Sequence, residues 1–332
     1  MSAIDIEYLG GPQIAQLQLS DEEILSAVEG GLIAAGRGET VIEPRMHLIP
    51  GGGVNGHFNV LRGCVGGYAG VKVVGDFVDN YKSGLPSEMA LLNLFDPTTG
   101  VPRAVIDAAG ITDMRTGAVT ALGAKYLAPE KPRVLGHVGA RGTAYWNVRL
   151  LDHLFDFEEI RVHSRRPESR EAFGKRLADD LCKPVKITQD WESCLKDADI
   201  MVEASRLNAP TPLFETRFVK PGALVIPYGT MSSLPLEFTD LIDAFVMDDL
   251  GQMDAGEFGA LRPHIKAGKI DRSSFYAEIG EIAAGVKPGR QSRDQTILFW
   301  HRGLATSDIT LGVYMLEKAR ELGIETRLPY AR

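Results

Sequence analysis

The chain has 332 residues, of which 44% are hydrophobic and 24% are charged, a composition typical of a globular protein with two domains. Its formal net charge of −8 provides no basic surface for nucleic acid or for an acidic membrane, so we expect a small-molecule partner. Three scattered cysteines favour reduced thiols in a cytosol over a disulfide framework. The N-terminus lacks the pattern of a secretory signal and no stretch is apolar over the length of a membrane span, so we expect a cytoplasmic protein.

The first third of the chain combines helices with short strands, as in an α+β domain. Ser20 and Glu23 have the spacing of a capping box, which predicts a helix that runs to about Gly36. A Thr-Asp pair at 112–113 is interpreted as the N-cap of a later helix. Apolar runs bounded by turn residues predict strands at 42–48, 70–76, 89–95 and 102–106, with turns at 51–53 and 96–100.

From about residue 130 the chain alternates apolar strands, turns and amphipathic helices. This alternation predicts an α/β fold with a Rossmann-type, doubly wound parallel sheet. We predict an α+β substrate-binding and dimerisation domain of residues 1–128 and 305–332, which takes in a final helix at 309–322, and an inserted dinucleotide-binding domain of residues 129–304. The strands expected in the inserted domain are 133–138, 159–163, 185–188, 199–204, 223–227 and 244–247.

A glycine-containing turn follows the first of these strands and leads into a helix that begins near Thr143. Small residues there let the backbone approach a pyrophosphate, which meets the N–H groups at the helix N-terminus. The turn departs from G-x-G-x-x-G/A, because Arg141 takes the second glycine position, and an ordinary strand-to-helix turn is the alternative. The residues of this turn that we expect to bind coenzyme are Gly139, Arg141, Gly142, Thr143 and Ala144.

The end of the second strand bears on the choice between NAD and NADP. Sites selective for NAD commonly place an acidic residue there, against the ribose 2′-hydroxyl. This chain has Ser164 and Arg165, which suit a 2′-phosphate, while Arg165 also suits the face of the adenine ring. We therefore expect NAD(H) or NADP(H) as the cofactor, and no metal.

Three cations of the first domain are awkward for a purely structural role. Lys72 stands in an apolar strand, where a buried ammonium needs an anion. Arg115 follows the predicted N-cap, where a positive charge opposes the helix dipole. Together with Arg45 they suggest a clamp for a substrate carboxylate. The alternative is an internal salt bridge to Asp76 or Asp113.

The order and spacing of these segments resemble the ornithine cyclodeaminase/mu-crystallin family of NAD(P)-dependent enzymes along nearly the whole chain. The resemblance implies a homodimer whose first domain holds both the substrate site and the subunit contact. It implies that Arg45, Lys72 and Arg115 bind the substrate carboxylate. The motifs that carry it are G-V-K at 70–72, G-L-P-S at 84–87, D-P-T-T-G-V-P at 96–102, T-D-M-R-T-G-A at 112–118, the glycine turn, and E-I-G-E at 278–281. The implied coenzyme contacts are Ser87, Gly142, Thr143, Ser164 and Ser205, to which we add Arg115 and Gly229.

Two departures from the family pattern bear on the reaction. Met231 stands where cyclodeaminases carry an aspartate, and a thioether neither accepts nor delivers a proton, which disfavours cyclisation of ornithine. His301 and Arg302 replace small neutral residues, so we assign Arg302 to a second substrate carboxylate and His301 to proton balance. The alternative is that these two side chains pair with acids of the scaffold, namely Glu278, Glu281 or Asp308.

We therefore expect a reductase that converts a small, dicarboxylic imino acid to the amino acid, with Lys72, Arg115 and His301 as catalytic residues. Within the family, reduction of iminosuccinate to aspartate fits the four cations best. The alternatives are a cyclodeaminase-type lyase that recycles bound NAD, and a ketimine reductase or binding protein of the mu-crystallin type. The acidic run that contains Asp248, Asp249 and Asp254 is expected to form a solvated face, with a loop over the cleft as its alternative.

Overall fold

The computed structural model describes residues 4–256 and 258–331. They divide into two compact units. The first unit takes its described residues from 1–115, 251–256 and 304–332, and the second from 116–250 and 257–303. The boundaries inferred from the sequence fall at 128/129 and 304/305, so the main difference is a boundary inside a long helix and a short segment at 251–256 that groups with the first unit.

The strands are β1 (Ile4–Leu9), β2 (Val41–Leu48), β3 (Gly56–Val65), β4 (Tyr68–Phe77), β5 (Glu88–Phe95), β6 (Pro102–Asp107), β7 (Val134–Val138), β8 (Glu159–His163), β9 (Val185–Ile187), β10 (Ile200–Glu203), β11 (Leu224–Pro227), β12 (Ala244–Met247), β13 (Phe275–Glu278), β14 (Ile297–Trp300) and β15 (Thr326–Ala331). The α-helices are α1 (Gly11–Leu17), α2 (Asp21–Gly36), α3 (Ala109–Leu127), α4 (Ala144–Phe155), α5 (Pro167–Leu181), α6 (Trp191–Leu195), α7 (Arg262–Lys266), α8 (Ile279–Ala283) and α9 (Ala305–Leu322).

The first unit contains a mixed seven-stranded sheet in the order β15-β1-β6-β5-β4-β3-β2. Helix α9 packs on β3 and β4. The approach is close because Gly70 has no side chain: a Cβ there would lie 2.4 Å from Cγ1 of Ile309. The buried face of β4 therefore packs against the N-terminal end of α9.

The capping box that starts α2 is confirmed, since Ser20 Oγ accepts from the Glu23 N–H and the Glu23 carboxylate accepts from the Ser20 N–H.

The second unit contains an eight-stranded sheet in the order β13-β12-β14-β11-β10-β7-β8-β9. Its strand pairs are parallel. Strands β10, β11, β12 and β14 are buried along their length, as strands covered on both faces must be. The order reverses between β7 and β10, which is the point where open α/β sheets bind their ligands. The predicted fold class, a doubly wound Rossmann-type sheet inserted in an α+β unit, is confirmed.

Several predicted boundaries were wrong. Helix α3 begins at Ala109, so the Thr-Asp pair at 112–113 lies inside the helix and is not its N-cap. Asp107 Oδ1 accepts from the Ala109 N–H at 3.1 Å, and Thr112 Oγ1 donates back to the Ala108 carbonyl at 2.9 Å, as threonine does within a helix. Helix α9 begins at Ala305, four residues before the predicted start. Strands β1, β3, β13, β14 and β15 were not predicted. Within the described ranges, no helix combines the length and apolar composition that a membrane crossing requires.

Candidate active site

A buried ionic cluster, which we call the Lys72 cluster, joins three elements of the first unit. It consists of Lys72 on β4, Thr112 and Arg115 on α3, and Asp308 on α9. Asp308 Oδ1 lies 2.5 Å from Lys72 Nζ and 2.7 Å from Arg115 Nε. Thr112 Oγ1 lies 3.0 Å from Lys72 Nζ. Lys72 and Asp308 are fully buried and Arg115 is nearly so, which is why the cations share a carboxylate.

The electrostatics of this cluster favour one further anion. Burial is the main cause that lowers the pKa of Lys72 to about 7, the charge of Arg115 lowers it as well, and the Asp308 carboxylate opposes both effects. With Lys72 protonated, two cations face one carboxylate and leave one excess positive charge. Oδ2 of Asp308 is buried and has no hydrogen-bond partner among the described residues. The cluster can therefore bind a carboxylate and hold a proton that moves near neutral pH.

Asp308 is the acidic residue that pairs with Lys72 and Arg115, a partner that the sequence did not identify. The alternative to a substrate carboxylate was a salt bridge to Asp76 or Asp113, whereas Asp308 contacts both Lys72 and Arg115. It lies 236 residues after Lys72 in the chain, so spacing gave no indication of the pair. The sequence feature that could have indicated the pair is an acidic residue in the first turn of α9, whose other residues in that turn are also buried.

The structure also brings Arg45 into electrostatic range of Lys72, because the Arg45 charge is among the causes that lower the pKa of that lysine. The Arg45 backbone N–H donates to Gln252 Oε1 at 3.1 Å, which ties β2 to the 251–256 segment of the same unit. Ser87 precedes β5, is partly exposed, and accepts the Phe77 N–H with its carbonyl at 2.8 Å. The three predicted carboxylate binders thus belong to one unit, and the charges of Arg45 and Arg115 both act on Lys72.

In the second unit, the glycine turn joins β7 to α4. Gly139 has a φ of +119°, and a Cβ there would lie 2.6 Å from the Ala204 carbonyl oxygen, so only glycine fits. Gly142 has a φ of +53°, and Arg141 beside it is exposed. The Gly139 N–H donates to the His163 carbonyl at 2.9 Å, which ties the turn to the end of β8. This turn, which is exposed at 141–142 and leads into a helix N-terminus, fits the pyrophosphate of a dinucleotide.

The neighbouring contacts predicted for the coenzyme sit around the same edge of this sheet. Thr143 Oγ1 lies 2.6 Å from the Tyr228 hydroxyl, and Ala144 is the first residue of α4. Ser164 follows β8 and is partly buried, whereas Arg165 is exposed. Neither of these two positions holds the acidic side chain that is common in NAD-selective sites, so Ser164 and Arg165 suit both NAD(H) and NADP(H).

A buried acid that the sequence analysis did not name lies beneath Ser205 and Gly229. Glu203 ends β10 and is fully buried, and burial raises its pKa to about 7 against opposing hydrogen bonds. Its Oε1 accepts from the Ser205 N–H at 2.8 Å and from the Ser205 hydroxyl. A Cβ on Gly229 would lie 2.5 Å from Glu203 Oε2. The sequence feature that could have indicated this buried acid is its position at the end of a strand whose other residues are all apolar.

His301 is a buried residue of the second unit. Its ring packs on Tyr228 at 4.4 Å and on Phe299 at 5.4 Å between centroids, and its Nε2 lies 3.0 Å from Thr120 Oγ1. This partner is a neutral hydroxyl, and the pairing of His301 with Glu278, Glu281 or Asp308 stays an alternative. An imidazole between aromatic rings with a hydroxyl on one nitrogen can hold or pass a proton.

Arg302 follows His301 and is partly exposed. Its guanidinium donates to the Phe258 carbonyl at 2.8 Å and lies 5.5 Å from the centre of the Trp300 ring. Its backbone N–H and that of Gly303 each donate to Asp248 Oδ2 at 2.7 Å. The predicted solvated face was wrong for Asp248, which is buried because it anchors this loop, whereas Asp254 is exposed. In the described part of the chain, no set of three or more His, Cys, Asp or Glu side chains is arranged to hold a metal.

Comparison with known proteins agrees with this architecture. Alanine dehydrogenase of Archaeoglobus fulgidus is 28% identical over 319 residues, which cover 95% of each chain. The structure of Thermococcus litoralis Delta(1)-pyrroline-2-carboxylate reductase with NADH and L-proline has a TM-score of 0.89 at 26% identity, over 97% of this chain and 100% of that chain. The iminosuccinate reductase of Paracoccus denitrificans, solved with NAD+, shares the fold at a TM-score of 0.87 and 23% identity, over 98% of this chain and 99% of that chain. The family pattern itself matches residues 12–323, and the chain therefore belongs to the ornithine cyclodeaminase/mu-crystallin family.

Proposed function

We propose that the protein is an NAD(P)H-dependent reductase that converts a small imino acid to the corresponding amino acid. The observation that carries this proposal is the Lys72 cluster, a buried set of charges with one positive charge in excess and a lysine whose pKa is about 7. The glycine turn of the second unit supports it, because the turn suits a dinucleotide. Family membership and two relatives, named alanine dehydrogenase and Delta(1)-pyrroline-2-carboxylate reductase, support it further.

The coenzyme would be held mainly by the second unit, and when bound it supplies the hydride. The backbone of the glycine turn would meet the pyrophosphate at the N-terminus of α4. Because Ser164 and Arg165 suit NADP and do not exclude NAD, both coenzymes belong in any assay. The residues that we assign to it are Ser87, Arg115, Gly139, Arg141, Gly142, Thr143, Ala144, Ser164, Arg165, Ser205 and Gly229.

Arg45 and Arg115 bind the α-carboxylate of the substrate with hydrogen bonds, Lys72 contributes its positive charge, and together they fix the orientation of the C=N bond. As the imine carbon receives the hydride, the nitrogen takes a proton from Lys72 Nζ, so the C=N bond becomes a CH–NH bond. Lys72 is left as a neutral amine, which a pKa near 7 makes accessible, and it regains its proton from solvent. His301 is assigned to proton balance, since an imidazole changes charge in the same pH range.

A dicarboxylic imine is the proposed substrate, with iminosuccinate and its product aspartate as the specific case. Arg302 supplies the charge for the second carboxylate, and a guanidinium binds a carboxylate with two parallel hydrogen bonds. Met231 supports reduction over cyclisation, because that position lacks a group able to transfer a proton.

A homodimer is proposed through the first unit. On β5, the buried residues Ala90, Leu92 and Leu94 alternate with Met89 and Leu91, which are 45% and 49% exposed on the opposite face of the sheet. Large apolar side chains exposed side by side on a strand mark a contact surface. Sedimentation at micromolar concentration tests this, and a monomer would contradict it.

The reaction is tested by loss of reduced-coenzyme absorbance with oxaloacetate, 2-oxoglutarate or pyruvate in the presence of ammonia, with NADH and NADPH in parallel. We expect stoichiometric oxidation of coenzyme and the highest kcat/KM with the four-carbon dicarboxylate. The contrasting assay supplies ornithine and a trace of NAD+. Release of ammonia and proline there, without net oxidation of coenzyme, would instead identify a lyase, and coenzyme binding without turnover in either assay would identify a binding protein.

A further inference from the structure

We propose that Asp308 is a positioning residue that keeps the ammonium of Lys72 charged and aimed, so that Lys72, and not Arg115, provides the proton of the reaction. The inference rests on the proposed function and assigns a role to a residue that the sequence analysis considered only as a scaffold partner of His301 and Arg302. Its basis is the placement of one carboxylate oxygen, Oδ1, against two buried cations.

The geometry fixes the direction of Lys72. Its Nζ lies 2.5 Å from Asp308 Oδ1 and 3.0 Å from Thr112 Oγ1, and this hydroxyl donates its own hydrogen to the Ala108 carbonyl. Thr112 therefore accepts from Lys72. An ammonium has three N–H groups, and these contacts use two of them within the described residues. The third N–H is the one that can serve a substrate.

The surrounding charges explain why the proton of Lys72 depends on Asp308. Arg115 on α3 and Arg45 on β2 both favour the neutral amine, as burial does, whereas Asp308 on α9 favours the ammonium. A guanidinium keeps its charge at every pH at which proteins work, so of the two cations on Oδ1 only the lysine can release a proton. The pKa of Lys72, lowered to about 7, lies where a proton is both held and given near neutral pH.

Removal of this carboxylate is expected to separate binding from catalysis. With Asp308 ionised and Lys72 protonated, the three side chains carry a net charge of +1. In Asp308→Asn the amide is neutral and Lys72 releases its proton, so the net charge is again +1. The attraction for a substrate carboxylate is therefore retained, while the proton is lost.

The first experiment is the pH dependence of imine reduction by Asp308→Asn. We expect kcat at pH 7.5 to fall about tenfold, because a one-unit drop in the pKa of a general acid that titrates near 7 lowers its protonated fraction by about that factor, with less than about a threefold change in KM. The alkaline limb of kcat should move to lower pH by about one unit or more, and Asp308→Glu should move it back. In a Lys72→Arg background, Asp308→Asn should cause no additional loss. Glu317→Gln, which removes a charge from an exposed position of α9, is the matched control and should leave the profile unchanged. A large rise in KM, or a lower kcat with an unmoved pH profile, would overturn the inference.

The second experiment needs no substrate. The folded state binds the Lys72 proton less tightly than the unfolded chain, whose lysine has the ordinary pKa of 10.5, so this group makes the free energy of unfolding rise with pH between about 7 and 10.5. Subtraction of the Lys72→Met curve isolates that contribution. We expect the rise to begin about one pH unit lower in Asp308→Asn. An identical onset in both proteins would overturn the inference even if the enzyme reduces imines. Failure to reduce any imine, with a shifted onset, would instead refute only the proposed function.

Discussion

Each of the two units buries an ionisable side chain whose pKa is about 7, and the two reach that value from opposite directions. Burial lowers the pKa of Lys72 in the first unit and raises that of Glu203 in the second. Lys72 is set among full charges, two arginines and an aspartate, whereas Glu203 is set among neutral donors from Ser205 and the loops beside it. The same desolvation thus acts on a charged network in one unit and on an isolated acid in the other.

This difference indicates which of the two buried groups transfers a proton and which stabilises a loop. A network of charges leaves an excess that a ligand must balance, and it changes when any member is removed. An acid surrounded by neutral dipoles has no such excess, so its ionisation affects mainly the stability of its own loop. We therefore assign proton transfer to the Lys72 cluster and the ordering of Ser205 and Gly229 to Glu203.

The strongest test of the charged network is Lys72→Met, which removes the proton and a charge while keeping most of the apolar stem. We expect kcat/KM for the imine to fall about 10,000-fold, because the variant lacks both the general acid and one carboxylate ligand. Steady-state kinetics at pH 7 measures this. Lys266→Met, at an exposed position of α7, is the control. Retention of activity within about tenfold would show that the proton comes from elsewhere.

The isolated acid is tested by Glu203→Gln through stability as a function of pH. The folded-state pKa of about 7 exceeds the ordinary value of 4.5, so the folded protein binds this proton more tightly than the unfolded chain. The stabilisation is complete below about pH 4.5 and is lost as pH rises through 7. We subtract the free energy of unfolding of Glu203→Gln from that of the wild type. This difference should be about 3 kcal/mol smaller at pH 8 than at pH 4. Urea denaturation across this range measures it, with the exposed Glu171→Gln as control. A difference that does not vary with pH would show that folding does not raise the pKa of Glu203.

How far the sequence predicts these sites follows from the distance between the residues involved. The glycine turn was recognisable because consecutive residues carry the constraint: Gly139 must be glycine to adopt its φ of +119° beside Ala204. Asp308 was not assigned to Lys72, because the packing of α9 on β4 creates that pair and no local pattern encodes it. Glu203 was missed since an acid is expected at the surface, and only burial on both faces of the sheet reveals it.

The fold was predicted best where alternation is regular and worst where a strand is a short, wholly buried run or carries polar residues on both faces. The strand at Glu159–His163 was predicted at its observed bounds, because apolar residues alternate there between clear turns. Strand β14 has four consecutive buried residues, a run that periodicity alone does not assign to strand or helix. Strand β3 carries polar residues on both of its faces, such as Asn59 and Arg62, so it lacks the alternation that predicts a strand.

The smallest expected effect tests the second carboxylate through Arg302→Met. Loss of one charge-assisted contact should raise KM for a four-carbon dicarboxylic imine about 30-fold, equivalent to about 2 kcal/mol, and should alter KM for pyruvate with ammonia little. Arg293→Met, at an exposed position, controls for the loss of one charge from the second unit. Because the Arg302 guanidinium also donates to the Phe258 carbonyl, thermal unfolding should be compared in parallel. Equal losses with both substrates would assign Arg302 to the loop that it braces and leave the choice of substrate to the charges of the first unit.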